Sequence, residues 1–467
     1  MDPPAVQPVS AEEVFKSLPP PSYEDIMGHQ AQTSAKANIS QDELPPLAYI
    51  DIMPRCLHPG NMKGKIPPEY DKFSTLMEAA NHWLRGNPNY GVWKCETVER
   101  KVEPSGQVVM ESMLFHEATY GFNVHINGIR LWLYACNNKS APPQQLGLFS
   151  RVPDKVQIPV AFYGRRRFHG PAYIHNVASY EGLRTTMDKL NGELTSNPVG
   201  GTILNVECAV IKAAEGFEKL DVDPDSTVFH ENGGKSRRYT QILRIFYVIG
   251  TPAKETLELI EVIPKVTQQP GMGTPAKFES YAETMDRLSR NPPSEVREGR
   301  IVNIQTHLSR YKEIGGEVDV LSNETDDFVS GIFERKQLQI IRIFKVLGNS
   351  TKPFPSYISS KLFIPVRTGG RSFENMPQTM FRIEAWLRVT GLPVYSVETV
   401  SYLFKEHSQI GVDTSKSNVV SPSGVGKHFV TAIRVYFCQP VQEPDPSHLP
   451  LAFPWTPSSA SSSCTIL

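Results

Sequence analysis

The chain has almost no net charge, few cysteines and no long apolar run, and each shortage removes a class of function. Its 48 basic and 49 acidic residues nearly cancel, so no global field draws it to nucleic acid or to an anionic membrane. Electrostatic targeting has to come from local patches. The six cysteines stand at 56, 95, 136, 208, 438 and 464 and never make a C-x-x-C spacing. That argues against a zinc knuckle or a dithiol redox pair and for reduced thiols. No apolar stretch approaches the roughly 20 residues of a transmembrane helix. The N-terminus has neither the basic nor the apolar region of a signal peptide, so the cytosol is the expected location.

Catalytic signatures are equally scarce. Gly233-Gly234-Lys235-Ser236 resembles the end of a phosphate loop, but Phe229 stands where its first glycine belongs. There is no G-x-S-x-G and no H-E-x-x-H, and the histidines are scattered. The expectation is a protein that is not an enzyme, with no small-molecule substrate and no cofactor.

What is abundant is apolar residues, at 40% of the chain, and proline, at 39 residues, clustered at both ends and in connectors. Residues 1–46 are acidic and rich in Pro, Ser, Gln and Ala, which reads as a disordered arm. Residues 440–467 turn to Pro and then Ser without a single Lys or Arg, which reads as a disordered tail.

Between them three kinds of segment recur in one order. The clearest is apolar-Arg-apolar-aromatic, at Ile129-Arg130-Leu131-Trp132, Leu243-Arg244-Ile245-Phe246, Ile341-Arg342-Ile343-Phe344 and Ile433-Arg434-Val435-Tyr436. The four arginines are expected on a sheet surface. Upstream of each lies a second strand, centred on Glu96, Glu207, Gln305 and Glu398. Before that comes an amphipathic helix, expected to be opened by an aromatic residue. Its apolar face is Phe73, Leu76, Met77, Ala80, Trp83 and Leu84 in the first copy. The others are Tyr180, Leu183, Met187 and Leu190; Tyr281, Met285 and Leu288; and Met376, Met380, Ile383 and Leu387. Each helix follows an apolar strand, at Ala48–Met53, Val156–Phe162, Leu257–Ile263 and Lys361–Val366. The spacing predicts an α+β protein of four tandem diverged β-α-β-β units at 47–138, 152–250, 255–349 and 356–439. Each would be a small antiparallel sheet covered by one helix, with neighbouring copies pairing or stacking to protect sheet edges.

Three motifs point outward. Pro20, Pro21 and Tyr23 form a P-P-x-Y ligand for WW domains, because proline pre-forms the extended helix that a WW groove grips. Pro67, Pro68 and Tyr70 repeat the pattern just before the first helix, where Tyr70 also fits the start of a folded segment. The chain ends Cys464-Thr465-Ile466-Leu467, a box expected to carry a geranylgeranyl group on Cys464. One lipid holds a protein only marginally, so a basic patch or self-association is expected to help. The candidate patches are Arg165, Arg166 and Arg167, and Lys235, Arg237 and Arg238, both placed in loops.

The Pro-Pro-Pro-Ser-Tyr-Glu-Asp arm is followed by an apolar strand and a helix ending in His82-Trp83. Then comes the run from Phe122-Asn123-Val124 through Gly128 into Ile129 to Tyr134. Together these resemble the matrix protein of rhabdoviruses, over residues 47–138 and the arm. The resemblance implies a late domain at Pro20, Pro21 and Tyr23 that recruits HECT-type ubiquitin ligases for budding. It also implies a folded part that self-assembles on the inner leaflet of a membrane and contacts a nucleocapsid. Four units instead of one, an acidic rather than lysine-rich arm and the terminal cysteine box depart from that family. The expectation is a matrix-like structural protein of viral budding, or alternatively a cellular prenylated adaptor that links WW-domain ubiquitin ligases to membranes.

Overall fold

A computed structural model describes residues 46–450 except 62–63, 104–107, 118–121, 137–141, 163–172, 214–220, 233–236, 272–273, 291, 293–298, 330–334, 348–354, 356, 370–371, 405–411, 415 and 422–426. The fold is mixed α and β, with mostly small antiparallel sheets set in a four-bladed, propeller-like ring.

In sheet I the middle strand is Phe122–Ala135, and Tyr90–Val102 pairs along its inner edge. Its other edge is shared end to end by Ala48–Ile52, opposite 129–133, and Val228–Asn232, opposite 122–126. Sheet II has Arg237–Ile249 in the middle, flanked by Gly201–Lys212 on one edge and by Leu146–Arg151 and Asp326–Val329 on the other. Sheet III sets Arg335–Leu347 between Arg300–Ile314 and the pair Thr256–Val262 and Asn418–Ser421. Sheet IV sets Lys427–Phe437 between Ser396–Phe404 and the pair Ser359–Phe363 and Leu114–Glu117.

Self-contained tandem sheets were expected, and these are not self-contained. Each sheet borrows a short strand from the stretch of chain that builds the next one, and sheet IV borrows Leu114–Glu117 from the stretch that builds sheet I. The last loan closes the ring. It uses up the length of middle strand that the first strand leaves bare, and an unpaired strand edge is costly to expose.

Among the described residues four α-helices lie between the sheets: α1 Phe73–Gly86, α2 Leu183–Ser196, α3 Tyr281–Arg290 and α4 Met376–Thr390. The apolar stripe of α1 packs on Cys95, Ile129, Leu131 and Leu133 of sheet I, yet the same cluster contains Leu146 and Phe246 of sheet II. The recurring four-residue motif explains why, since alternate residues of a strand face opposite sides. Leu131, Ile245, Ile343 and Val435 turn to their own helix. Trp132, Phe246, Phe344 and Tyr436 enter the cores under α4, α1, α2 and α3, each in the neighbouring blade.

Polar side chains repeat the same exchange. Asn81 of α1 accepts from the Leu146 N–H at 2.6 Å and donates to its carbonyl at 2.8 Å, and Asn191 of α2 does the same for Leu257. The residues before α1 and α2, Lys72 and Gly182, cap nothing with their side chains. Instead Asp225, just ahead of a borrowed strand, accepts from the N–H of Phe73 through its carbonyl and from that of Ser74 through its carboxylate. Asn323 serves Leu183 and Arg184 likewise. Helix N-termini leave unsatisfied N–H groups and attract negative charge, so the neighbouring blade supplies the caps. Asp225→Ala should therefore cost about 1 kcal/mol, the usual worth of a cap, read as a lower urea midpoint for the whole chain.

Three further expectations need correction. The first strand of the second group is Leu146–Arg151; Lys155–Phe162 pairs with Tyr173–Tyr180 as a hairpin of its own. Both runs are apolar enough for a strand, and contact of Leu146 and Leu148 with the cluster under α1 decides between them. The boundary at 152 is thus one strand late, and Tyr180 ends that hairpin, with α2 starting at Leu183. Arg237 and Arg238 lie in a strand, because Asp326–Val329 pairs across them. Finally, the four motif arginines are not on a surface: Arg130, Arg244 and Arg342 are 0% exposed and Arg434 is 2%.

Candidate functional sites

The buried arginines belong to a polar girdle where the four inner strands meet. Where the four meet, an inner strand bonds to its own sheet on one side only, so its other backbone groups need partners. Side chains from the next blade supply them. Glu207 accepts from the Thr97 N–H at 3.0 Å and from the Thr97 hydroxyl. Glu398 accepts from Thr306 N and Oγ1, both at 2.6 Å, and Glu96 accepts from Thr399 N and Oγ1 at 2.7 and 2.9 Å. At the remaining contact Gln305 replaces glutamate and Cys208 replaces threonine. There the amide accepts from the Cys208 N–H at 3.0 Å and donates to its carbonyl at 3.1 Å. Two residues earlier, Asn205 grips both backbone groups of Cys95, Asn303 donates to the Val206 carbonyl, and the Lys94 ammonium donates to the Val397 carbonyl.

The arginines complete the circle. Arg244 donates to the Thr97 hydroxyl at 2.7 Å, Arg130 to that of Thr399 at 2.9 Å, and Arg434 to that of Thr306. Each guanidinium also sits over an aromatic ring. Arg244 is 3.8 Å from the centroid of Phe73, Arg434 is 3.5 Å from that of Tyr281, and Arg130 lies over Tyr49. The aromatic residues that open α1 and α3 are therefore seats for the next blade's arginine.

Burial pushes the Glu207 carboxyl above the usual carboxylate range, pulls Arg244 down to about 10 and lowers the Lys94 ammonium. Charges taken out of water at this cost add little net stability. Their directional bonds instead specify which strand meets which. The Thr97, Thr306 and Thr399 hydroxyls each donate to a carboxylate and accept from a guanidinium, so they are not arranged as nucleophiles with a general base. Among the described residues no group of three or more His, Cys, Asp and Glu is arranged to hold a metal ion.

The outward-facing motifs fall elsewhere. Pro20, Pro21, Tyr23, Cys464, Arg165, Arg166, Arg167 and Lys235 lie outside the described residues. Tyr70 is 8% exposed and packs with Val102, Val124 and Ile126, and Pro68 is buried. A WW groove has no access to a tyrosine in that position. Arg238 is spent inside the protein, donating to Asp326 of the borrowed strand and to the Ala178 carbonyl. It is not a free cation for a membrane. No helix among the described residues is long and apolar enough to cross a membrane.

The bases of the two arms do come together. Leu47, at the root of the N-terminal arm, is in the cluster that holds Met113, Trp132, Met376, Trp386 and Phe437, and Val441 and Leu449 of the C-terminal segment pack against it. Glu443 pins that segment by accepting from the Trp386 indole at 3.1 Å and pairing with Lys361. Composition alone does not show that both arms leave the ring at one seam, between sheets I and IV. The recurring acid and base at constant spacing, Glu181 with Lys189, Glu279 with Arg287 and Glu374 with Arg382, was a readable sign of equivalent blades. No family model, curated protein or solved structure matches the chain.

Proposed function

We propose that this chain is a membrane-apposed scaffold, built from four diverged copies of one α+β unit, that acts as a lipid-anchored adaptor for WW-domain proteins such as HECT-type ubiquitin ligases. The observation that carries this reading is the shared root of the two arms at one cluster. Tyr23 precedes one root and Cys464 follows the other. Cys464 lies fifteen positions beyond Leu449, so even full extension keeps a lipid on Cys464 within roughly 50 Å of the seam. The WW ligand is thereby presented close to the bilayer, on the cytosolic face.

A matrix-like protein of viral budding is supported by the same arm and by the resemblance of the first unit. It is the weaker reading, because the strand edges that copies of the unit could offer to another molecule are paired within one chain. A lattice of copies, or a nucleocapsid contact, needs a different surface.

Expression of the full chain in cells separates the two. Cys464→Ser should move the protein from the membrane to the soluble fraction. Tyr23→Ala should leave it on the membrane and weaken capture of WW domains by about tenfold or more, as loss of an anchoring aromatic does. Membrane-enclosed particles in the medium that disappear with either substitution would instead establish the matrix reading. Capture unaffected by Tyr23→Ala would refute both.

A further inference from the structure

Three of the four seams join stretches that follow one another in the chain. The fourth, between Leu114–Glu117 and Lys427–Phe437, brings together segments more than 300 residues apart and closes the ring. At that seam alone two imidazoles meet: His116 stands directly opposite His428, with ring centroids 4.4 Å apart and planes tilted by 35°. The corresponding pairs at the other seams are His230 opposite Val124, Arg238 opposite Phe328 and Lys336 opposite Val420. Beside the imidazoles Phe115 and Phe429 stack at 5.1 Å, and Thr431 donates its N–H to the Met113 carbonyl at 2.7 Å.

We propose that this seam is an acid-sensitive latch, in which protonation of His116 and His428 weakens the pairing of 114–117 with 427–430 and lets the ring open there. Histidine is the side chain that gains charge between pH 8 and 5. Two imidazolium ions in ring contact repel, so the closed seam loses stability as pH falls through that range and keeps it above.

Two cations lie near the pair among the described contacts. Lys101 of the inner strand donates its ammonium to the His116 carbonyl, and Arg367 lies over Phe404, the residue opposite His428 on the other side. The next backbone pair along is Glu117 opposite Lys427. Because Met113 and the roots of both arms share the cluster at this seam, opening would also loosen the arms. The latch does not depend on what the arms bind.

Hydrogen exchange on the full chain at pH 7.5 and 5.5, corrected for intrinsic rates, tests it. Protection of 427–431 should fall about five- to tenfold at the lower pH relative to 237–240 at the seam between sheets II and III, which carries no histidine pair. His428→Val, copying the Val124 opposite His230, should abolish that difference. If the valine variant fails to fold, His428→Phe keeps an uncharged ring against His116 and serves the same comparison. An equal response at both seams, or a difference that persists in the folded variant, overturns the proposal.

Discussion

Glu398→Gln should destabilise the protein by roughly 3 kcal/mol although it removes no atom from the girdle. The carboxylate accepts from Thr306, Arg434 at 2.8 Å and the Tyr436 hydroxyl at 2.6 Å. An amide turns one acceptor into a donor and leaves Arg434 without its counter-charge. Sheet III already has glutamine at the equivalent place and tolerates it for an identifiable reason: Arg342 pairs at 3.0 Å with Glu261, its partner across the first strand. The residue at that position beside Arg434 is Leu362. Leu362→Glu should therefore recover part of the loss in the Glu398→Gln background while costing stability by itself. Urea denaturation of the two single variants and the double variant measures the coupling. Simple additivity would show that the girdle's charges are not balanced pair by pair.

Phe246→Ala is the second change with a large expected effect, about 3–5 kcal/mol, as for any fully buried phenylalanine. Its particular consequence is where the loss is felt. Phe246 belongs to the middle strand of sheet II but fills the core beneath α1 with Phe73, Trp83 and Leu84. Hydrogen exchange should quicken in α1 as well as in sheet II, and Ile249→Ala, at a residue 53% exposed on the same strand, should change stability by less than about 0.5 kcal/mol. Loss confined to sheet II would mean that the blades are held together by the girdle alone.

Both experiments turn on features whose presence, though not whose meaning, is visible in the primary structure. Periodicity places the four described helices and the long paired strands of each blade, because a stripe at three-and-four spacing or an alternating run commits a segment to one local geometry whatever surrounds it. It also exposes the recurrence of apolar-Arg-apolar-aromatic and of Glu96, Glu207, Gln305 and Glu398. The four borrowed strands are only four or five residues long, so their local pattern is too brief to identify an acceptor. Leu146–Arg151 and Lys155–Phe162 are equally good strands, and only contact with a neighbouring core separates them.

The sequence by itself determined the α+β class, the fourfold recurrence of its elements and the presence of the P-P-x-Y and Cys-Thr-Ile-Leu motifs. Tertiary structure decided that the recurrent arginines and aromatics face the neighbouring blade and not solvent or their own helix. It also decided that Tyr70 is core, and that both arms root at one seam. The physical reason is that period and propensity act within a dozen residues, whereas the partner of a strand edge or of a buried charge is chosen by geometry between segments tens to hundreds of residues apart.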